Sequence, residues 1–240
     1  LEESDLRFLI SDWRKPESYN LDELEQALLD NKIDFAFVYT AQLDSFLHDS
    51  ILDENAVSSR LRFYEDRLKS LFTLLKKRGI LTKFTVISDH GMTPLKSTVD
   101  LMKIVSELEL EFAKDYVAIY DSTMARFWYL VPKAKRIIQS RLSKSDCKGS
   151  FITEEEKEFY GINFENNKFG EDIFLMETGI QIAPSDLGQK PLNGMHGFTP
   201  EDKDSYACLL STQTPSFAPV EVKDYFHLMK NDIDLLIKNK

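Results

Sequence analysis

Hydrophobic and polar positions follow two alternating spacings over the first ninety residues. Leu21, Leu24 and Leu28 recur three or four residues apart after Asn20, which predicts a short amphipathic helix capped by that asparagine. Residues 33–39 are mostly apolar, β-branched and aromatic, so they predict a buried strand.

A longer helix and a second strand follow in the same order. Gly79 suits the left-handed residue that ends a helix, and residues 84–88 predict the second buried strand. The order helix, strand, helix, strand favours a mostly parallel sheet with helices on both faces. The long helix carries apolar residues on one face, at Val57, Leu61, Tyr64, Leu68, Leu71 and Leu75.

The pattern changes over residues 97–190. Strand-like stretches at 116–120 and 126–131 lie close together in the chain, and a helix is expected after Pro132. A polar stretch at 143–171 precedes two more short strand-like runs. This arrangement predicts an inserted α+β cap subdomain.

The apolar run at 205–211 and a closing amphipathic helix return to the pattern of the core. We therefore expect an α/β fold with an α/β core built from residues 1–96 and 191–240. Residues 97–190 form the predicted cap.

Composition narrows the classes of function. The 240 residues are 42% hydrophobic, which is enough for a core and excludes a disordered chain. The formal net charge of −10 argues against duplex nucleic acid as the main partner, because such proteins present a basic stripe. No apolar run approaches the roughly 20 residues of a membrane span.

The two cysteines, Cys147 and Cys208, are too few for a disulfide framework. We expect Cys208 to be a small buried side chain in an apolar run and Cys147 to lie in a polar loop. Low cysteine use is compatible with a reducing compartment, and it favours the cytoplasm without deciding the location.

Candidate chemistry follows the two predicted strands. Asp44 and His48 come soon after the first strand, and Asp89 and His90 come directly after the second. In open α/β sheets, sites form at the carboxyl ends of strands. His196 stands between glycines, which allow the backbone close to a site. Imidazole and carboxylate groups are ligands that suit Zn²⁺.

Each of these features also has a purely structural interpretation. Asp44 can be a helix cap with His48 on the surface, Asp89-His90-Gly91 can be an ordinary turn, and His196 can be a loop residue. Their joint placement favours a metal site. His227 falls off the apolar face of the closing helix, so we expect it to be exposed to solvent.

The segment Ser88-Asp89-His90-Gly91-Met92, preceded by an apolar strand, resembles the SDHGM motif of the alkaline phosphatase superfamily. An upstream Asp-x-x-x-His and a downstream His-Gly, here Asp44 to His48 and His196-Gly197, are typical of its type I phosphodiesterase/nucleotide pyrophosphatase branch. The resemblance extends from about residue 30 to residue 211. It implies an alkaline-phosphatase-like core, here partial.

The resemblance implies two divalent metal ions, usually zinc. Asp44, His48 and His196 would hold the first ion, and Asp89 and His90 would help to hold the second. In the family, a further aspartate and a nucleophilic threonine or serine come from a part that precedes this region. We find neither in a suitable setting here, so the nucleophile is unassigned and the chain is expected to be the C-terminal portion of a longer enzyme.

The implied reaction is hydrolysis of phosphodiester or pyrophosphate bonds in a small phosphorylated substrate such as a nucleotide, through a covalent phospho-enzyme. Alternatives are a related sulfatase, phosphomutase or phosphonate hydrolase, or a non-catalytic metal-binding relative. In the cap, Arg126, Trp128 and Tyr129 could stack on a base. Period-2 alternation favours the simpler interpretation, in which the aromatic residues of this strand fill the subdomain core.

Overall fold

The computed structural model describes residues 5–238, which divide into two units. The first unit contains residues 5–47, 53–90 and 207–238, and the second contains residues 48–52 and 91–206. The helix Gln42–Ser50 (α2) is continuous across this division.

The first unit contains two pairs of short strands and three long helices. Its elements are β1 (Phe8–Ile10), α1 (Glu17–Leu29), β2 (Phe35–Phe37), α3 (Glu54–Lys77), β3 (Thr85–Ile87), β12 (Leu209–Ser211) and α7 (Asp224–Lys238). β1 pairs in parallel with β2, whereas β12 pairs antiparallel with β3. Leu24, Leu71 and Leu75 pack together at its centre, as the helical periodicity predicts.

Helix α1 begins earlier than its apolar pattern indicates. Asn20 lies inside the helix and is 1% exposed, so its predicted role as the N-cap is wrong. Its side-chain amide donates to the carbonyl of Asp12 at 3.0 Å, which satisfies that donor within the fold. The prediction at the end of α3 is confirmed, because Gly79 has a φ of +67° just after the helix.

The second unit is organised around a four-stranded antiparallel sheet in the order β6-β7-β9-β8. Helix α5 packs against this sheet and contributes Ala134, Ile138 and Leu142 to the largest buried cluster. The elements of the unit are β4 (Thr93–Pro94), β5 (Ser97–Val99), α4 (Leu101–Ser106), β6 (Tyr116–Tyr120), β7 (Met124–Tyr129), α5 (Pro132–Leu142), β8 (Gly149–Phe151), α6 (Glu154–Phe159), β9 (Asp172–Met176), β10 (Ile180–Ile182) and β11 (Gly194–Met195).

The predicted α/β class is confirmed, but the parallel character is confirmed only in part. Parallel pairing occurs between β1 and β2 and between β5 and β10. The remaining pairs of strands in residues 5–238 are antiparallel, including β4 with β11, and an isolated bridge between Phe112 and Tyr116 is parallel. The boundaries of the core and the cap at residues 96 and 191 stay a prediction.

The aromatic strand β7 fills the core of the second unit. Phe127 is fully buried, and the ring of Tyr129 stacks parallel to it with centroids 6.3 Å apart. Arg126 pairs with Asp121 at 2.8 Å, and the indole of Trp128 donates to the carbonyl of Asn167 at 2.7 Å. These contacts support the interpretation of β7 as a core strand.

The environments of the two free cysteines are the reverse of the prediction. Cys147 is fully buried, whereas Cys208 is exposed. Cys208 directly precedes β12, which pairs with a single strand, β3, within residues 5–238. An apolar run at such a short edge keeps part of its surface in water, and Leu210 is accordingly 67% exposed. No helix in the described range has the length and apolar character needed to cross a bilayer.

Candidate metal centre

Helix α2 places Asp44 and His48 on one face. The two residues are four positions apart, which is about one helical turn, so their side chains are neighbours on the helix surface. Both side chains are partly buried. The helix therefore supplies one carboxylate and one imidazole to the same small volume.

The segment that precedes His196 is held against His48. The amide N–H of Asn193 donates to the carbonyl of His48 at 2.9 Å. The His48 ring nitrogen Nδ1 lies 2.8 Å from the carbonyl oxygen of Gly194. Because a carbonyl only accepts hydrogen bonds, Nδ1 carries the proton, and the Nε2 lone pair is the one directed away from this bond.

The two imidazoles face each other across a short gap. The ring centroids of His48 and His196 are 5.3 Å apart, with an angle of 41° between the ring planes. One candidate ligand atom from each of Asp44, His48 and His196 lies within 4.8 Å of the other two. Tetrahedral ligand atoms around Zn²⁺ are separated by about 3.4 Å, given bond lengths of about 2.0–2.1 Å. Small side-chain rotations would close this difference, so the donor set fits a zinc ion.

Asp89 and His90 do not join this group. They follow β3, where the Asp89 side chain is 71% exposed and its Oδ2 lies 3.6 Å from Nε2 of His90. Asp44, His48 and His196 form the single set of three metal-ligating side chains found among residues 5–238. The structure thus brings together three of the five predicted ligands, and the role of Asp89 and His90 stays a prediction.

The glycine after His90 has a steric role that the sequence alone does not reveal. The Gly91 amide donates to the carbonyl of Ser205 at 3.1 Å. A Cβ atom at position 91 would lie 2.1 Å from the carbonyl oxygen of Asp204. Thr93, which is 2% exposed, donates from Oγ1 to a carboxylate oxygen of Asp202 at 2.8 Å. The loop that follows His196 is therefore packed directly onto the segment that follows His90.

The sequence matches a family model. The model of the type I phosphodiesterase/nucleotide pyrophosphatase family matches residues 3–199. The chain belongs to this family. The predicted family assignment is therefore confirmed for most of the chain. No curated protein sequence matches the chain.

Solved structures of relatives share the fold of this type I phosphodiesterase family member. Murine ectonucleotide pyrophosphatase/phosphodiesterase 5 aligns with a TM-score of 0.74 and 15% identity, over 96% of this chain and 68% of that protein. The human protein of the same name has a TM-score of 0.74 and 14% identity, over 96% and 67%. An inactive variant of the murine protein, solved in complex with AMP, aligns with a TM-score of 0.74 and 15% identity, over 96% of this chain and 67% of that protein. At this level of identity, the likeness shows the fold alone.

His227 lies outside the candidate centre of this family member. It is exposed on α7, as the sequence predicts, and its ring contacts Phe226. It therefore provides a histidine against which substitutions at His48 and His196 can be compared.

Proposed function

We propose that this type I phosphodiesterase family member is a metal-dependent hydrolase of phosphodiester or pyrophosphate bonds. The observation that carries the proposal is the meeting of Asp44, His48 and His196 within 4.8 Å. Two imidazoles and a carboxylate are a common ligand set of catalytic zinc sites, which keep a position open for water or substrate.

The proposed ligands divide between two ions. Asp44, His48 and His196 would hold the first, and Asp89 and His90 would help to hold the second. When bound, such ions lower the pKa of an attacking hydroxyl and stabilise charge on the leaving oxygen. A threonine or serine hydroxyl that the sequence does not identify would form a bond to phosphorus as the bond from phosphorus to the leaving oxygen breaks. Water would then hydrolyse this phospho-enzyme, which releases the phosphate product and restores the hydroxyl. The bond from Nδ1 of His48 to the Gly194 carbonyl would keep Nε2 available as a ligand.

A small phosphorylated compound is the proposed substrate class. A relative with the same fold has been solved in complex with AMP, which supports a nucleotide. The chain carries a formal net charge of −10, which opposes the approach of an anion. Bound divalent cations would reverse the local field and allow a phosphate group to bind.

The test combines metal content with turnover of two aryl substrates. Zinc bound per chain is measured in the whole wild-type protein, including any part that precedes residue 1, together with hydrolysis of bis(4-nitrophenyl) phosphate and 4-nitrophenyl sulfate. We expect bound zinc, loss of activity on chelation with recovery on zinc addition, and preference for the phosphodiester. Preference for the sulfate would instead identify a sulfatase-like enzyme. Bound zinc without any turnover would identify a non-catalytic relative.

Matched histidine variants connect the activity to the proposed site. His48→Ala should lower zinc affinity by more than about 100-fold, since loss of an outer partner alone costs about 10–100-fold. His227→Ala removes an exposed imidazole and should leave both affinity and turnover unchanged. Equal zinc affinity in His48→Ala and wild-type protein would contradict the proposed site.

A further inference from the structure

Thr123 lies in the turn between β6 and β7 of the four-stranded sheet. The turn is closed by the amide of Asp121, which donates to the carbonyl of Met124 at 2.8 Å. The carbonyl of Thr123 accepts from the amide of Met176, at the end of β9, at 2.9 Å. Thr123 is 3% exposed. Its backbone is therefore bonded to the four-stranded sheet of the second unit, and its side chain is enclosed.

The hydroxyl of Thr123 holds the residue that follows His196. Oγ1 of Thr123 donates to the carbonyl of Gly197 at 2.9 Å. Gly197 has a φ of +87°, a conformation that favours glycine. A Cβ atom at position 197 would lie 3.0 Å from Oγ1 of Thr123, so the two segments are in close contact. The next residue, Phe198, is buried in the main core.

The two sides of His196 are thus held by different contacts. On the N-terminal side, Gly194 and Met195 pair with Thr93 and Pro94, and Gly194 also accepts from His48. On the C-terminal side, the hydroxyl of Thr123 bonds the Gly197 carbonyl. The direction of a side chain follows from the backbone on both sides of it, so loss of the second contact would let the imidazole of His196 drift.

We infer that Thr123 is a positioning residue for the metal site, which it serves by fixing the backbone next to His196. This inference rests on the proposed function, because it assigns Thr123 a role only if His196 binds metal. The sheet of the second unit would then set the geometry of a ligand that is 73 positions further along the chain. Groups that bond directly to a metal ligand affect affinity by about 10–100-fold, so a contact one residue away from the ligand is expected at the lower end of that range.

The experiment compares Thr123→Val with Thr123→Ser in the full chain. Valine keeps the shape of the side chain and removes the hydroxyl, whereas serine keeps the hydroxyl. Zinc affinity is measured by competition with a chromophoric chelator, and the visible spectrum of the cobalt-substituted protein reports the ligand geometry. We expect Thr123→Val to bind zinc about 10-fold more weakly than wild-type protein and to have an altered cobalt spectrum. Thr123→Ser should keep the wild-type zinc affinity and cobalt spectrum.

Ser185→Ala is the matched control for loss of a buried hydroxyl. Ser185 is 2% exposed, and its Oγ bonds within residues 185–188. Ser185→Ala should leave zinc affinity and the cobalt spectrum unchanged. If Thr123→Val does not fold, Thr123→Ala replaces it in the comparison with serine. A lower melting temperature with wild-type affinity and spectrum would assign Thr123 to stability alone and overturn the inference. Wild-type protein that binds no zinc would instead refute the proposed function.

Discussion

Replacement of Gly91 by alanine tests the packing of the segment after His90 against the loop that follows His196. The added Cβ would lie 2.1 Å from the carbonyl oxygen of Asp204, and 3.0 Å from both the carbonyl carbon of Asp204 and the carbonyl oxygen of Tyr206. All three contacts are to backbone atoms, so no side chain can rotate away. The bond from the Gly91 amide to the Ser205 carbonyl ties the same two segments together.

The size of the effect follows from the distance that must be recovered. Cβ atoms essentially never approach another atom closer than 3.0 Å, so the contact must lengthen from 2.1 Å by about 0.9 Å. A shift of that size in packed backbone belongs to the class of overpacking changes, which cost about 1–3 kcal/mol and occasionally more. For a chain of this length, each kcal/mol lowers the melting temperature by about 2–4 °C.

Urea titration and thermal unfolding followed by circular dichroism measure this cost. Gly188→Ala is the matched control, because a Cβ at position 188 meets no atom within 4 Å and this glycine has no positive φ. We expect Gly188→Ala to change the free energy of unfolding by less than about 0.5 kcal/mol in the destabilising direction, or to stabilise by up to about 1 kcal/mol. If Gly91→Ala were as stable as Gly188→Ala, the close approach of Asp204 would be refuted.

Three further predictions concern stability. Ile138→Ala truncates a fully buried side chain on α5 and should lower the free energy of unfolding by about 2–5 kcal/mol in urea titration; a loss below 1 kcal/mol would contradict the packing. Glu17 is 3% exposed and pairs with Arg60, so Glu17→Gln should lower the free energy of unfolding by up to about 3–5 kcal/mol. Glu111 pairs with Lys114 on the surface, so Glu111→Gln should cost almost nothing. Equal melting temperatures of the two variants would argue against a buried pair. Burial and the neighbouring Glu17 raise the pKa of Tyr64 from 10 to about 12. The protonated phenol therefore stabilises the folded state below pH 10, and this stabilisation is lost as the pH rises to 12. Wild-type protein should lose more stability over that range than Tyr64→Phe, and equal losses in the two proteins would refute the shift.

Long, periodic elements were predictable because their own residues determine them. The apolar face of α3 and the glycine after it predict a helix that the structure places at Glu54–Lys77. The strand predicted at 116–120 is β6, and the helix predicted after Pro132 is α5, which begins at that proline. In each case burial and local backbone preference favour the same structure.

Elements that depend on distant partners were predicted poorly. Strand β1, Phe8–Ile10, was not predicted, because it has only three residues and is defined by its pairing with β2. The start of α1 was misplaced because Asn20 bonds the backbone of Asp12 instead of capping the helix. The antiparallel partner of β3 is β12, more than 120 positions later, and nothing in the local sequence specifies that pairing.

In the candidate centre, too, contacts set by local spacing were predictable and contacts between distant segments were not. The spacing of Asp44 and His48 predicts their shared helix face, because it matches one helical turn. The contact of His48 with Gly194 joins residues 146 positions apart, so it could be expected only from the order of motifs in the family. The contacts of Thr93 with Asp202 and of Thr123 with Gly197 follow no local pattern, and the structure alone reveals them.

The segment before His196 contacts His48 through its own backbone. The amide of Asn193 donates to the carbonyl of His48, and the carbonyl of Gly194 accepts from Nδ1 of the His48 ring, so this segment contributes backbone groups to both bonds. Side chains next to the ligands can therefore vary without loss of these bonds. Leu47, which directly precedes His48, contributes no group to either of these two bonds. Substitution at Leu47 should accordingly alter metal affinity far less than substitution at His48.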